Sequence, residues 1–293
     1  LSNTQMDPGH VLLLSWWLGT EFSAALTSIN CLANKFGDDD LATLLTAIEG
    51  TSVRSLCGLT EGQTVADFSG QNLGPIDMKI MAAEYGFQGF IAAVADLNIS
   101  EAIIGDAGAT LVEAISSSST LNFITIGKGL RLPLKDNYDS DVLDASKKGI
   151  EPGGVAVIAW WLTTSATVVL NSLTLDSNSI FGIIPRYGGD SDAAPDKFAD
   201  SCDAFLAALK ESNILTLSLQ KTGIGPLTLR KLATSLPAVL NSVTLDSTGV
   251  PKMLFGPPHE VEASGPRTYT LTTGEEKIDL SQKNLGTADV ALV

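Results

Sequence analysis

The sequence predicts an α/β solenoid, a stack of strand-turn-helix units sharing one continuous core. Three observations predict it. The segment Leu170-Asn171-Ser172-Leu173-Thr174-Leu175-Asp176-Ser177-Asn178-Ser179-Ile180 fits the pattern L-x-x-L-x-L-x-x-N-x-I at every defining position. Its words return at Val239 to Thr248, which repeats Val169 to Asn178 with two changes. An apolar pair spaced by two, followed five residues later by a third apolar residue, recurs along the whole chain. A unit of this size cannot bury its apolar face alone, so the recurrence argues for stacking before local propensity is consulted.

The strand positions come first. They are Ile29/Cys31/Phe36, Ala66/Phe68/Leu73, Leu97/Ile99/Ile104, Ile124/Ile126, Leu143/Ala145/Ile150, Leu173/Leu175/Ile180, Leu217/Leu219/Ile224, Val243/Leu245/Val250 and Ile278/Leu280/Leu285, nine in all. Alternation within each pair is the period of a short strand with both apolar side chains turned to the core. Asn34 and Asn178 occupy a turn position where a buried amide can bond backbone groups left unpaired by the bending chain. Gln71, Ala102, Lys148, Thr222, Thr248 and Lys283 stand there in other copies, so the asparagine ladder is incomplete.

Helical stretches follow the strands, with apolar residues three and four apart. They are Leu41-Leu44-Leu45-Ile48, Met78-Met81-Ala82, Leu111-Ala114-Ile115, Val155-Ile158-Trp161-Leu162, Phe198-Cys202-Phe205-Leu206-Leu209 and Leu229-Leu232-Leu236. Asp38, Asp39 and Asp40 favour a helix N-terminus electrostatically, and Pro75, Pro152 and Pro226 suit a first turn. A longer likeness overlies these units. Asp7-Pro8-Gly9 through Trp16-Trp17-Leu18 matches Glu151-Pro152-Gly153 through Trp160-Trp161-Leu162. In that register Leu1-Ser2 corresponds to Ala145-Ser146, and Ala288 to Val293 falls inside a further helix. The expectation is one solenoid over residues 1–293, about nine repeats, truncated at both ends, with insertions near 182–197 and 251–268.

These residues resemble the ribonuclease-inhibitor-like leucine-rich repeats of NOD-like receptors and Ran GTPase-activating proteins. Ser55-Leu56-Cys57-Gly58-Leu59-Thr60, followed by Asp67-Phe68-Ser69-Gly70-Gln71-Asn72-Leu73-Gly74-Pro75, is similar to phrases of protist, dinoflagellate-like repeat families. The resemblance implies a horseshoe with a parallel sheet on its concave face and helices on its convex face. It implies protein binding as the usual activity and carries over no catalytic residue.

Composition narrows the function classes. With 33 acidic against 18 basic residues the net charge is -15, which argues against nucleic acid and anionic membrane surfaces, both of which want clustered Lys and Arg. The acidity fits a basic protein partner, or serves only to keep the solenoid soluble. Apolar residues make up 44 %, ample for a core, yet the longest candidate run, Val11 to Leu18, is far short of a transmembrane span. Cys31, Cys57 and Cys202 are too few and too far apart for a disulfide framework, which suits a reducing, intracellular and cytoplasmic location.

Candidate chemistry is sparse. His10 and His259 have no spaced partners for a metal site or a nucleophile triad and read as solvent-exposed. Gly127-Lys128-Gly129 is a turn after a strand, not a phosphate loop. Asp136 to Asp144 lacks the glycine and terminal glutamate of a calcium loop and reads as a solvated acidic stretch. The sequon Asn98-Ile99-Ser100 lies within a strand. No catalytic residue, metal ligand or cofactor is expected.

The better leads are surfaces. Arg186 and Tyr187 in the first insertion, and Met253, Leu254 and Phe255 in the second, are of the types that anchor interfaces, unless Tyr187 and Phe255 fold back over the core. Adjacent helical residues point about 100° apart, so one of each tryptophan pair can be core while the other lies toward the surface. Trp16 and Trp160 are candidates to dock a neighbouring chain or to pack between units. The residues flanking the strand pairs, among them Asp67, Asn98, Asp144, Asp176, Gln220 and Asp246, make a small, acidic and weakly anchored face. The expected function is a non-enzymatic scaffold or adaptor that binds other protein subunits in a larger assembly, with no nucleic acid and no membrane insertion. The alternatives are a GTPase-activating or inhibitory regulator, and a self-associating structural subunit.

Overall fold

In the computed structural model, residues 1–183, 194–248, 267–275, 280 and 283–292 are described. The chain forms two compact units, Leu1–Asp136 and Asn137–Val293. The first holds α1 (Pro8–Leu18), α2 (Asp38–Ile48), β1 (Val65–Asp67), α3 (Pro75–Gly86), β2 (Asp96–Asn98), α4 (Gly108–Ser116), β3 (Phe123–Ile126) and β4 (Leu130–Pro133). The second holds β5 (Val142–Asp144), α5 (Pro152–Leu162), β6 (Ser172–Thr174), α6 (Asp203–Lys210), β7 (Thr216–Ser218), α7 (Pro226–Ala233), β8 (Ser242–Asp246), β9 (Thr268–Thr272) and α8 (Thr287–Leu292).

The expectation of a single leucine-rich-repeat solenoid, horseshoe and repeat array over the whole chain is corrected here. The protein is a layered α/β structure with two mixed, mostly parallel sheets, one of four strands in the order β1-β2-β3-β4 and one of five in the order β5-β6-β7-β8-β9. Each sheet ends in an antiparallel strand, and no described strand joins one sheet to the other. The physical cause is visible at β3. After the turn Gly127-Lys128-Gly129 the chain doubles back, pairing Phe123 with Pro133 and Ile126 with Leu130. That hairpin occupies the edge to which a further parallel strand would add, and Pro133 carries no N–H for the ladder. Arg131 secures it, lying 3.6 Å from the Phe123 ring centroid and 2.6 Å from a carboxylate oxygen of Asp96. In the second unit β9 covers β8 in the same antiparallel sense, from Ser242↔Thr272 to Asp246↔Thr268.

Locally the elements stand close to where the periodicity puts them. Both members of the pairs at Ala66, Leu97, Ile124, Leu143, Leu173, Leu217 and Val243 are buried. At Ile29/Cys31 only isolated bridges form, Ser28 with Ser55 and Asn30 with Cys57. Val250 and Ile278 lie outside the described residues. Pro8, Pro75, Pro152 and Pro226 each open a helix, and α2 begins on Asp38 with Asp40 accepting the Gly37 amide at 2.9 Å. Two helices are shorter than expected: α6 starts at Asp203, so Phe198 and Cys202 precede it, and α7 ends at Ala233, before Leu236. Cys202 is nonetheless fully buried, its thiol 3.4 Å from the Ile180 carbonyl.

Two buried polar nodes bind these elements. Asn178 Nδ2 donates to the carbonyls of Ala145 and Leu175, both at 2.8 Å, while its Oδ1 accepts the Ile150 amide. Glu84 is fully buried in α3, and its carboxylate accepts the amides of Leu56, Cys57 and Ile91 and the Ser55 hydroxyl. No helix of the described residues is long and apolar enough to cross a membrane.

Candidate interaction surface

Asp7-Pro8-Gly9-His10 starts α1 for local reasons. The Asp7 carboxylate accepts the His10 amide at 3.0 Å and lies 2.7 Å from His10 Nδ1, and Pro8 has no amide to lose. Hydrogen bonding from His10 holds the Asp7 carboxyl below the usual carboxylate range. The helix then runs Val11-Leu12-Leu13-Leu14-Ser15-Trp16-Trp17-Leu18, apolar on more than one side. Only Val11 and Leu18 are buried. Leu12, Leu13 and Trp16 are 63 %, 62 % and 68 % exposed, and helical spacing of three and four places them on one face. Phe22, in the 3₁₀ turn Glu21–Ser23 that follows, is 88 % exposed.

Beside this face lies an open cavity of about 570 Å³, lined by Leu1, Met6, His10, Leu13, Trp16 and Trp17 among others. Its wall is held in place by Asn34. The Asn34 Oδ1 accepts the amides of Thr4 and Met6, and its Nδ2 donates to the carbonyls of Leu1 and Cys31. The turn asparagine expected from the sequence thus also positions the segment that borders the exposed helix.

Trp16 lies on that face; Trp160 does not resemble it in setting. The reading that one tryptophan of each pair can be core and the other surface describes α5, where Trp161 is fully buried and Trp160 half-buried. In α1 neither is core, since Trp16 is exposed and Trp17 half-buried. Trp16 and Trp160 belong to different units. Arg186, Tyr187, Met253, Leu254 and Phe255 lie outside the described residues, as does His259.

The base of the first insertion is described. Ile183 and Ala194 pair in an antiparallel bridge, and the Asp196 carboxylate accepts the amides of Gly225, Leu227 and Thr228 at the start of α7. Gly182 and Gly223 approach so closely that a Cβ on Gly223 would meet the Gly182 carbonyl oxygen at 2.3 Å. Only glycine fits there.

The acidic flanking residues form a different pattern from a binding face. Asp67 and Asp144 turn back on their own chain, accepting the amides of Ser69 and Ser146 at 3.0 and 2.9 Å. Asp176 and Asp246 reach to the neighbouring turn, accepting the amides of Gln220 and Lys221. The three cysteines are free and buried, and burial pushes the thiols of Cys31 and Cys202 up to about 12 and that of Cys57 well above its ordinary value. Thiols in that state are not nucleophiles at neutral pH. Among the described residues no group of His, Cys, Asp and Glu is placed to hold a metal ion. What the exposed α1 face offers is apolar contact area with a tryptophan at its centre, the composition of an interface anchor. Compared with known proteins, the chain matches no family model and no curated protein.

Proposed function

We propose that this protein is a non-enzymatic protein-binding scaffold or adaptor, working in an assembly with other protein subunits, and that α1 carries its docking face. One observation carries the reading: Leu12, Leu13 and Trp16 stand exposed together on one helix of which only Val11 and Leu18 are buried. Three large apolar side chains in water cost free energy that a partner would recover, about 25 cal/mol for each Å² buried. The net charge of -15 favours a protein partner with a basic rim over nucleic acid. The free, buried thiols favour a reducing, intracellular location. The insertion candidates Arg186, Tyr187, Met253, Leu254 and Phe255 are proposed as secondary contacts.

The test is native purification with quantitative mass spectrometry, comparing the wild-type chain with a Leu13→Glu/Trp16→Glu variant of unchanged melting temperature. A protein retained at fixed stoichiometry by the wild type and released by the variant supports the reading. Recovery of the wild-type chain alone, or a partner indifferent to both substitutions, overturns it.

A further inference from the structure

The helices α2, α3, α7 and α8 each follow directly on a glycine, and all but α7 share one device. In α2, α3 and α8 an aspartate at the third helical position turns back to accept the amide of that glycine. Asp40 accepts from Gly37 at 2.9 Å, Asp77 from Gly74 at 2.7 Å and Asp289 from Gly286 at 2.7 Å. Two of these carboxylates reach further, to an earlier turn of the chain. Asp77 accepts the Ala33 amide at 2.7 Å and Asp289 the Thr248 amide at 2.9 Å. Both are buried, so this position accommodates a carboxylate inside the fold. The charge suits a helix start because it satisfies amides that have no partner within the helix.

In α7 the third position is Thr228, fully buried, with a hydroxyl that has no hydrogen-bond partner among the described residues. Here the carboxylate arrives from the other side of the contact. Asp196 Oδ1 accepts the amides of Gly225 and Thr228 at 3.0 and 2.9 Å, and Oδ2 accepts that of Leu227 at 2.8 Å. Pro226 has no amide, so one side chain takes every amide of residues 225–228. A Cβ on Gly225 would meet Asp196 Oδ2 at 2.3 Å, so glycine leaves room for the incoming carboxylate. Asp196 has φ 62°, the left-handed conformation that Ala33 adopts at φ 57° where it donates to Asp77. Donor and acceptor are thus exchanged across the same kind of helix start. The segment that carries Asp196 is tied down on its other side by the Ile183–Ala194 bridge and by the Phe198 amide, which donates to the Phe181 carbonyl at 2.8 Å.

We propose that Asp196 is a transposed cap, a latch through which residues 194–201 and the first turn of α7 form and open as one unit. In α2, α3 and α8 the capping carboxylate travels with its own helix. In α7 it belongs to a segment 29 residues before Gly225, so displacing that segment strands three amides at once. A helix of eight residues has little else to hold its first turn. The proposal is independent of the protein-binding reading of α1.

Hydrogen exchange and urea unfolding of the full chain test it in a cycle of Asp196→Ala and Thr228→Asp. Asp196→Ala is expected to speed exchange of the Leu227 and Thr228 amides about tenfold, the scale of losing a helix cap, and to lower the urea midpoint. Residues 194–201 should speed with them. Thr228→Asp alone should also lower the midpoint, because it sets a second carboxylate against Asp196. The double variant should recover, since the carboxylate then sits where α3 and α8 carry it. Its midpoint is expected above that of either single variant, with the α7 amides protected again and residues 194–201 still exchanging fast. Asp196→Asn keeps one acceptor oxygen and tolerates the left-handed turn, so it should fall between wild type and Asp196→Ala. It replaces the alanine variant in the cycle if that protein does not fold. Wild-type exchange at Leu227 and Thr228 in the Asp196 variants overturns the proposal, as does a double variant no more stable than the Asp196 variant alone.

Discussion

Glu84 Oε2 accepts the backbone amide of Leu56 at 2.8 Å, from a residue 28 positions away in the chain. The same oxygen takes the Cys57 amide, Oε1 takes Ile91, and neither oxygen meets a cation among the described residues. The Ser55 hydroxyl donates to Oε2 as well, so removing this carboxyl leaves several buried donors unpaired at once. Glu84→Ala is expected to lower stability by about 3–5 kcal/mol, the range for breaking a buried charged network. Glu84→Gln keeps one acceptor oxygen but turns an NH₂ toward donors, for a loss of about 2 kcal/mol. Urea unfolding midpoints of the three proteins check the order wild type, Gln, Ala.

The tryptophan pairs test burial against identity. Trp161→Ala is expected to cost about 3–5 kcal/mol, as for other large-to-small substitutions in a packed core. Trp16→Ala, at a position 68 % exposed, should change stability by less than about 0.5 kcal/mol. Equal thermal shifts for the two variants would contradict the structure.

The pH behaviour of two surface aspartates follows from their serines. The hydroxyl and amide of Ser69 hold Asp67 below the usual carboxylate range, and those of Ser146 do the same for Asp144. A folded-state value below the unfolded one means the contribution to stability is present above the unfolded pKa and is lost as pH falls through the folded one. Ser69→Ala and Ser146→Ala should each raise the corresponding aspartate toward the ordinary carboxylate range. Carbon-detected NMR titration of the side-chain carboxyls reads this directly. Asp77 runs the other way. Desolvation raises its carboxyl despite the amides of Gly74 and Ala33, so the folded state binds its proton more tightly and stability declines as pH rises from the unfolded value through the folded one. Asp77→Asn should remove that component of the acid-limb dependence.

Thiol chemistry offers a fourth test. With all three cysteines buried and their thiols pushed up, an aromatic disulfide reagent at pH 8 should label none in the folded protein. In urea it should label all three. Rapid labelling of Cys31 or Cys202 without denaturant would show those sites to open locally.

Some of this architecture is legible in a single chain of letters because its causes are local. The paired apolar positions announce short strands since both members face inward, and Ala66, Leu97 and Leu173 are indeed fully buried. Pro75, Pro152 and Pro226 mark helix starts because the first turn has no use for their missing amides. Asn34 and Asn178 are legible as turn residues because an amide satisfies neighbouring carbonyls within three residues, Cys31 and Leu175. The hairpin strands β4 and β9 are absent from the repeat reading of the sequence. Leu130-Arg131-Leu132 and Thr268-Tyr269-Thr270-Leu271 alternate as strands do, but alternation does not say whether a strand continues a parallel array or folds back to end it.

By itself, then, the sequence determined seven of the paired strand positions, the helix starts at Pro75, Pro152 and Pro226, and the acidic balance, each a property of composition or of a few adjacent residues. Tertiary structure alone decided that the strands form two sheets closed by hairpins, that Glu84 finds its donors at Leu56 and Ile91, and that Tyr138 covers Trp161. The physical reason is that helix starts and strand periods are set by bonds a few residues long. Strand pairing and burial depend on which distant segment arrives, as Tyr138 arrives at Trp161.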